Sequence, residues 1–264
     1  MSKNQNQIVI THLYPKQMSI YGDMGNIIAL KYRLKKYGFK PVYKTVNPGE
    51  DLPTDTDIYF MGGGQDQEQF EIFKDLMYKK KQLINDIEDN VSLLSICGGY
   101  QLLGEKFTTG DGLIIDGVGV FDVITTAPDT NVKSRCVGNI LTECLIPDLL
   151  GEKLIGFENH SGQTKFSSNK KCKPLAKVIV GFGNNIEKKY EGCVYKNAIG
   201  TYLHGSCLPK NPVLADYLIF QAIRRQAEKN ILDPKIYIET RKIEIDDDIV
   251  QKLREQLLVK ILKK

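Results

Sequence analysis

The chain predicts an α/β fold: a central, mostly parallel sheet with mixed strands in its C-terminal half and helices on its flanks. Three observations carry this. Short apolar runs alternate with helix-compatible segments through the first hundred residues. An apolar run over 91–96 meets Cys97, Gly98 and Gly99 and then a helical pattern, and after Gly104 short strand-like runs follow one another between Gly, Asn, Asp and Pro turns. At 264 residues an α/β chain is long enough for a sizeable core and often forms one domain.

Residues 7–13 (QIVITHL) read as a first strand, and 25–36 as a helix stopped by Gly38. Between them lies a polar and aromatic loop that includes Tyr21 and Asp23, at the sheet edge where open α/β sheets gather ligands; Asp23 reads equally as a helix cap. Residues 41–46 alternate like a strand. The run 57–61 is a short apolar strand leading into Gly62, Gly63 and Gly64, which set bare backbone amides at the same edge. No Lys-Ser/Thr completes a P-loop there, so a donor loop for an oxyanion fits better than a phosphate cradle. Residues 66–89 form a long helix with Phe70, Phe73, Leu76, Met77, Leu83, Ile84 and Ile87 as its apolar face.

The stretch 91–103 reads as a nucleophile elbow, a sharp strand-to-helix turn on which a thiol stands clear of its backbone and feels the start of the next helix. The bland alternative is a buried apolar cysteine. Beyond it, strands are expected at 113–115, 118–123, 136–141, 153–157, 175–180, 192–195 and 198–202, extending the sheet in antiparallel or mixed fashion. The last ends near His204. Residues 211–229 predict an amphipathic helix opened by Pro212. After the Asp233-Pro234 break, 246–262 repeats the pattern through Ile249, Leu253, Leu257 and Ile261, with Lys263 and Lys264 in its last turn.

Composition excludes several classes. A net charge of +4 is too small to argue for nucleic acid, and the lysines at 79–81 and between Lys165 and Lys173 lack interleaved aromatics and read as solvated faces. The six cysteines show no CxxC pair, which argues against a zinc knuckle or a disulfide framework and for reduced thiols. No apolar run reaches the ~20 residues of a membrane span and no leader pattern opens the chain, so a cytoplasmic protein that is not integral to a membrane is expected. His12, His160 and His204 lack the helical spacing of a metal cluster, and no metal is expected.

A thiol nucleophile needs a proton shuttle and donors for the tetrahedral oxyanion. Cys97 would attack, His204 would move the proton, and amides of Gly98 and of the glycine triplet, Gly63 at its centre, would meet the oxyanion. The reaction class implied is acyl transfer through a thioester.

These residues carry a resemblance. Cys97-Gly98-Gly99-Tyr100-Gln101, the upstream glycine triplet, Tyr21-Gly22-Asp23-Met24-Gly25-Asn26, Phe157-Glu158-Asn159-His160 and Gly200-Thr201-Tyr202-Leu203-His204-Gly205 stand in the order seen in class I (triad) glutamine amidotransferases of the cobyrinic acid synthase-like type. More closely, the chain resembles the GatD family, glutaminase subunits of lipid II isoglutaminyl synthase, from about residue 8 to about 228. The resemblance implies the flavodoxin-like class I fold over 1–230, with 231–264 as a helical extension packed on the domain or on a partner. It implies a Cys97–His204 dyad, with Gln101, Arg135, Asn159 and His160 binding L-glutamine. His160 also reads as a core residue. Ser206 stands where the wider class places a glutamate, so another group must orient His204, Glu158 and a main-chain carbonyl being the candidates. No Walker A sequence occurs, so no cofactor is expected in this chain. ATP and Mg would sit on a Mur ligase-like partner, which forms a heterodimer with this subunit and amidates the D-glutamate of lipid II. A cobyrinate-type acceptor, a stand-alone cysteine hydrolase of the flavodoxin-like peptidase type and a pseudo-enzyme subunit are the competing readings.

Overall fold

The computed structural model describes residues 6–263 except 20–21, 65, 110–111, 128–134 and 169–170. Tyr21 and Lys264, singled out above, lie outside the described residues, as does part of the lysine-rich stretch between 165 and 173. Strands β1 (Gln7–Leu13), β2 (Lys40–Val46), β3 (Ile58–Met61), β4 (Ser92–Ile96), β13 (Cys193–Tyr195) and β14 (Ala198–Thr201) form one six-stranded sheet in the order β13-β14-β4-β3-β1-β2. Every neighbouring pair is parallel except β13 with β14. All residues of β3 and β4 are buried, as expected of parallel strands covered on both faces. Because the strands run one way, their carboxyl ends share an edge: Leu13 pairs with Met61, Met61 with Ser95, and Ile96 with Thr201.

Helices α1 (Met24–Lys36) and α5 (Pro212–Glu228) pack together, α5 also against β3 and β4. Helix α2 (Asp66–Glu88) buries Ile72, Leu76, Leu83 and Ile87, but Phe70, expected in its apolar face, is half exposed, and Lys79, expected in solvent, is buried on Asp75. Helix α3 (Gly98–Leu102) follows the elbow as a turn and a half.

The C-terminal half corrects one expectation. Of the short strands, β13 and β14 extend the main sheet in mixed fashion as expected, whereas the others form two further sheets, β10 (Gln163–Phe166)-β7 (Val123–Thr126)-β5 (Lys106–Thr108)-β6 (Ile114–Asp116) and β12 (Tyr190–Glu191)-β11 (Ala176–Val180)-β8 (Cys136–Cys144)-β9 (Lys153–His160). The strand expected over 118–123 is irregular until Val123. Its amides are taken by the end of α3 instead: Val118 donates to Leu102 O, Gly119 to Gly104 O and Phe121 to Leu103 O. Strands β5, β10 and β12 were not anticipated, being short and polar in sequence.

Helix α6 (Pro234–Thr240) starts on an Asp233 cap that accepts from Lys235 N at 2.9 Å. Helix α7 (Asp248–Leu262) reverses the expected amphipathic reading, since Ile249 is 83% and Leu253 51% exposed. Only Ile261 of that stripe is buried, against Leu141 and Ile155. Polar anchors hold the helix. Arg33 of α1 bridges Asp216 of α5 (2.5 Å) and Asp247 before α7 (2.7 Å), and the buried Arg254 is bonded to two other segments, at Lys153 and at Lys210 and Asn211. No helix among the described residues is long and apolar enough to cross a membrane.

Candidate active site

Strand β4 delivers Cys97 to the carboxyl edge with φ 51° and ψ −107°, a conformation costly for a residue with a Cβ, of order 1 to 3 kcal/mol. Its amide donates to Thr201 O of β14 (2.9 Å) and its carbonyl accepts from Gln101 N (2.9 Å), so both peptide groups flanking the strained residue are tied down. The glycines that follow are explained by approach. A Cβ on Gly98 would lie 3.0 Å from Gly64 N, and one on Gly99 2.8 Å from Gly62 O, which already accepts from Gly99 N at 3.2 Å. Elbow and glycine triplet are therefore one packed unit of bare backbone.

Asp23 joins that unit. It precedes α1 without capping it through its side chain. Fully buried, its Oδ2 instead accepts from Gly63 N at 3.0 Å. Gly62 has no room for a Cβ against Asp23 and Met18 O. The amide expected to serve an oxyanion thus holds the Asp23 side chain.

His204 follows β14 by three residues and forms a two-way backbone bridge to Phe157 of β9, donating to Phe157 O (2.9 Å) and accepting from Phe157 N (3.3 Å). Tyr202 lies between the two halves of the site. Its hydroxyl accepts from Gln101 Nε2 (3.2 Å) and shares a hydrogen bond with Thr164 Oγ1 (2.7 Å), while the His160 ring stacks on it at 3.7 Å. Burial raises the Tyr202 phenol, and the nearby Cys97 adds to the rise. His160 Nδ1 bonds Gly162 O at 2.8 Å; because a carbonyl only accepts, that nitrogen carries the proton. Burial lowers both His160 and His204 to about 4; at His204, His160 and Lys210 contribute further. His204 is thus neutral near pH 7 and able to take a proton.

Of the two groups considered for orienting His204, Glu158 turns both oxygens onto the amides of Phe182 and Gly183, each at 2.8 Å. The strand end is fixed by a residue the sequence reading missed. Fully buried Glu191 accepts from Thr201 Oγ1 (2.5 Å) and Tyr202 N (2.7 Å), and Thr201 Oγ1 accepts from Leu203 N (3.1 Å). Burial pushes Glu158 and Glu191 up to about 7. Gln69, also missed, donates to Gln101 Oε1 at 3.3 Å and to Gly64 O at 3.2 Å. Gln101 is accordingly a buried strut between α2 and Tyr202. Asn159 and His160, adjacent on β9, face opposite ways: His160 inward, Asn159 toward the rim, where its Oδ1 accepts from exposed Arg135 Nε at 3.0 Å. No group of three or more His, Cys, Asp or Glu side chains is gathered as a metal site among the described residues.

Residues 9–212 match the sequence profile of the CobB/CobQ-like glutamine amidotransferase domain. The chain is 40% identical over 245 residues to a Staphylococcus aureus protein described as lipid II isoglutaminyl synthase (glutamine-hydrolyzing) subunit GatD, covering 91% of this chain and 96% of that one. It is also 40% identical over 229 residues to the subunit of the same description from Streptococcus pneumoniae, covering 86% of this chain and 85% of that one. Among solved structures, one described as a glutamine amidotransferase superposes with a TM-score of 0.52 at 15% identity, over 80% of this chain and 98% of that one. That likeness shows a shared α/β glutamine amidotransferase-like fold.

Proposed function

The chain belongs to the CobB/CobQ-like glutamine amidotransferases and, within them, to the GatD glutaminase subunits of lipid II isoglutaminyl synthase, and on that premise we propose that Cys97 and His204 are the dyad that releases ammonia from L-glutamine. The observation that carries the reading is the strained Cys97 on β4, bonded through its amide to β14, the strand that leads to a neutral His204.

In this mechanism the Cys97 thiol gives its proton to His204 and Sγ attacks the side-chain carboxamide carbon of glutamine. The oxyanion meets Gly98 N and, once released from Asp23, Gly63 N. His204 returns the proton to the leaving nitrogen, the C–N bond breaks, and ammonia departs from a glutamyl thioester. His204 then activates the water that cleaves the thioester. Arg135 and Asn159 at the rim hold the α-amino acid end of glutamine, while Gln101 and His160 shape the wall behind its carboxamide. Because Gly63 N is bonded to Asp23 Oδ2, the glycine triplet is the part of the site that must move.

The five parallel strands, in sheet order β2-β1-β3-β4-β14, support the flavodoxin-like class I form of the fold. Residues 1–230 are the amidotransferase domain and 231–264 an extension packed on it. Ammonia is useful only beside an activated acceptor. A Mur ligase-like ATP-dependent subunit, carrying ATP and Mg, forms the heterodimer and amidates the D-glutamate α-carboxyl of the lipid II stem peptide to D-isoglutamine. Six free thiols suit a reducing, cytoplasmic setting. Glutamine hydrolysis by wild type, Cys97→Ala and His204→Ala, each with the ligase subunit, tests the dyad. Both variants are expected to lose at least ~10³-fold in kcat, and full activity in Cys97→Ala would overturn the mechanism.

A further inference from the structure

The inference concerns what holds His204, and it rests on the reading of that residue as the proton shuttle. After β14 the chain passes through His204, Gly205 and Ser206 into the single turn α4 (Cys207–Lys210). Ser206, where the wider class has a glutamate, donates its hydroxyl to Gly22 O at 2.6 Å. Lys210 turns back on the same turn and donates from Nζ to Gly205 O. Gly205 has φ 73°, and a Cβ there would stand 2.6 Å from that ammonium nitrogen, so a glycine is what lets the lysine close down.

Lys210 is itself held from α7. The Arg254 guanidinium, 8% exposed, donates through Nη1 to Lys210 O and to Asn211 Oδ1 (3.0 Å), and through Nη2 to Lys153 O (2.6 Å). Asn211 Oδ1 also accepts from Ile155 N (2.9 Å), while its Nδ2 donates to Ile155 O (2.9 Å) and Cys207 O (2.8 Å). One cation therefore ties the start of β9 to the end of α4. Two residues beyond Ile155, Phe157 makes the backbone bridge to His204. The histidine hangs between two segments, and both lead back to Arg254, which lies beyond the family-matched residues 9–212.

We propose that Lys210 and Arg254 are positioning residues for His204: Lys210 fixes the Gly205 turn that follows the histidine, and Arg254 locks that turn to β9. The charge of Lys210 also disfavours the imidazolium, as does His160 of β9. The carboxylates of this layer, Glu158 on β9 and Glu191 on β12, are turned onto the backbone amides of Phe182, Gly183 and Tyr202.

The test uses the full chain with histidine labelled for NMR, the His204 signal being identified by its loss in His204→Ala, together with the pH profile of glutamine hydrolysis. Removing a neighbouring cation raises an imidazole pKa. Lys210→Met is therefore expected to move the His204 titration and the acid limb of kcat/KM upward by about half a pH unit or more, and to lower kcat about tenfold with KM nearly unchanged. Lys210→Arg, which keeps the charge, should restore both. Arg254→Met should lower kcat by a similar factor, with partial recovery on adding guanidinium. An unmoved titration in Lys210→Met, or an Arg254→Met protein that melts earlier yet keeps wild-type kcat while folded, overturns the assignment. If wild type with its ligase releases no ammonia, the functional reading fails, and the NMR titration still decides the role of Lys210.

Discussion

The Cys97 side and the His204 side of the site are built by different means. Around Cys97 the contacts are backbone on backbone: Gly99 N on Gly62 O, Gly98 against Gly64, Cys97 N on Thr201 O. Around His204 a backbone bridge to Phe157 is backed by side chains: Glu191 on the end of β14, Asn211 on β9, Lys210 and Arg254 on the turn beyond. The first kind of contact tolerates no added atom. The second tolerates an isostere and fails on truncation.

Gly99→Ala gives the largest effect on this view. Its new methyl meets Gly62 O at 2.8 Å and displaces the triplet from the elbow, so glutaminase activity should fall by ~10² or more, read in a steady-state ammonia assay. Retention of activity would show that the elbow can give, and would break the contrast.

Glu191→Ala comes next, leaving Thr201 Oγ1 and Tyr202 N without their buried acceptor, at a cost of about 2 to 4 kcal/mol in urea unfolding. Glu191→Gln keeps the acceptor oxygen and should fold, but with a different pH dependence. The folded carboxyl, pushed up to about 7, binds a proton that the unfolded one has already lost. Its contribution is full below about pH 4.5 and is lost as pH rises through about 7. The three buried histidines, held near 4, run the other way, gaining stability from pH 4 to 6.5. Glu191→Gln removes one of the two opposing carboxylates, Glu158 being the other, so its stability should climb more steeply across that window than wild type, by an amount on the order of 2 kcal/mol. Parallel curves would mean that Glu191 is not protonated there.

Asp23→Asn sharpens the comparison at a point where a side chain enters the Cys97 side. It keeps the shape but weakens the charge-assisted hold on Gly63 N. Hydrolysis by the free chain should rise about threefold while unfolding stability drops ~1 kcal/mol; a lower rate would mean that Asp23 sets the loop for catalysis rather than restraining it. The smallest effect is expected at Ile249→Ser, within about 0.5 kcal/mol, against ~2 to 4 kcal/mol for Ile261→Ala, both by denaturant melts.

The same division explains what could be read in advance. Strand β1 and the elbow are local patterns, in which apolar runs and glycines act on residues next to them, and they emerged from the chain where expected. The helical periodicity of α7 was equally clear but misassigned its faces, because a buried Arg254 seats that helix instead of Ile249 and Leu253. Glu191 carried no local signal, since its partners lie in other segments, and Lys210 stood only within the Leu208-Pro209-Lys210-Asn211 stretch of the family resemblance, its partner lying across a turn that only the folded chain forms. Arg135 and Asn159 were named by resemblance, and the structure pairs them on the rim.

The hydrogen bond from Cys97 N to Thr201 O has a mechanical meaning. Cys97 and the strand that leads to His204 are held on neighbouring strands of one sheet, spaced ~4.8 Å apart by the backbone itself. Stretching that separation would mean tearing the middle of the sheet, so whatever traffic glutamine and ammonia require must pass by way of the loops on either side.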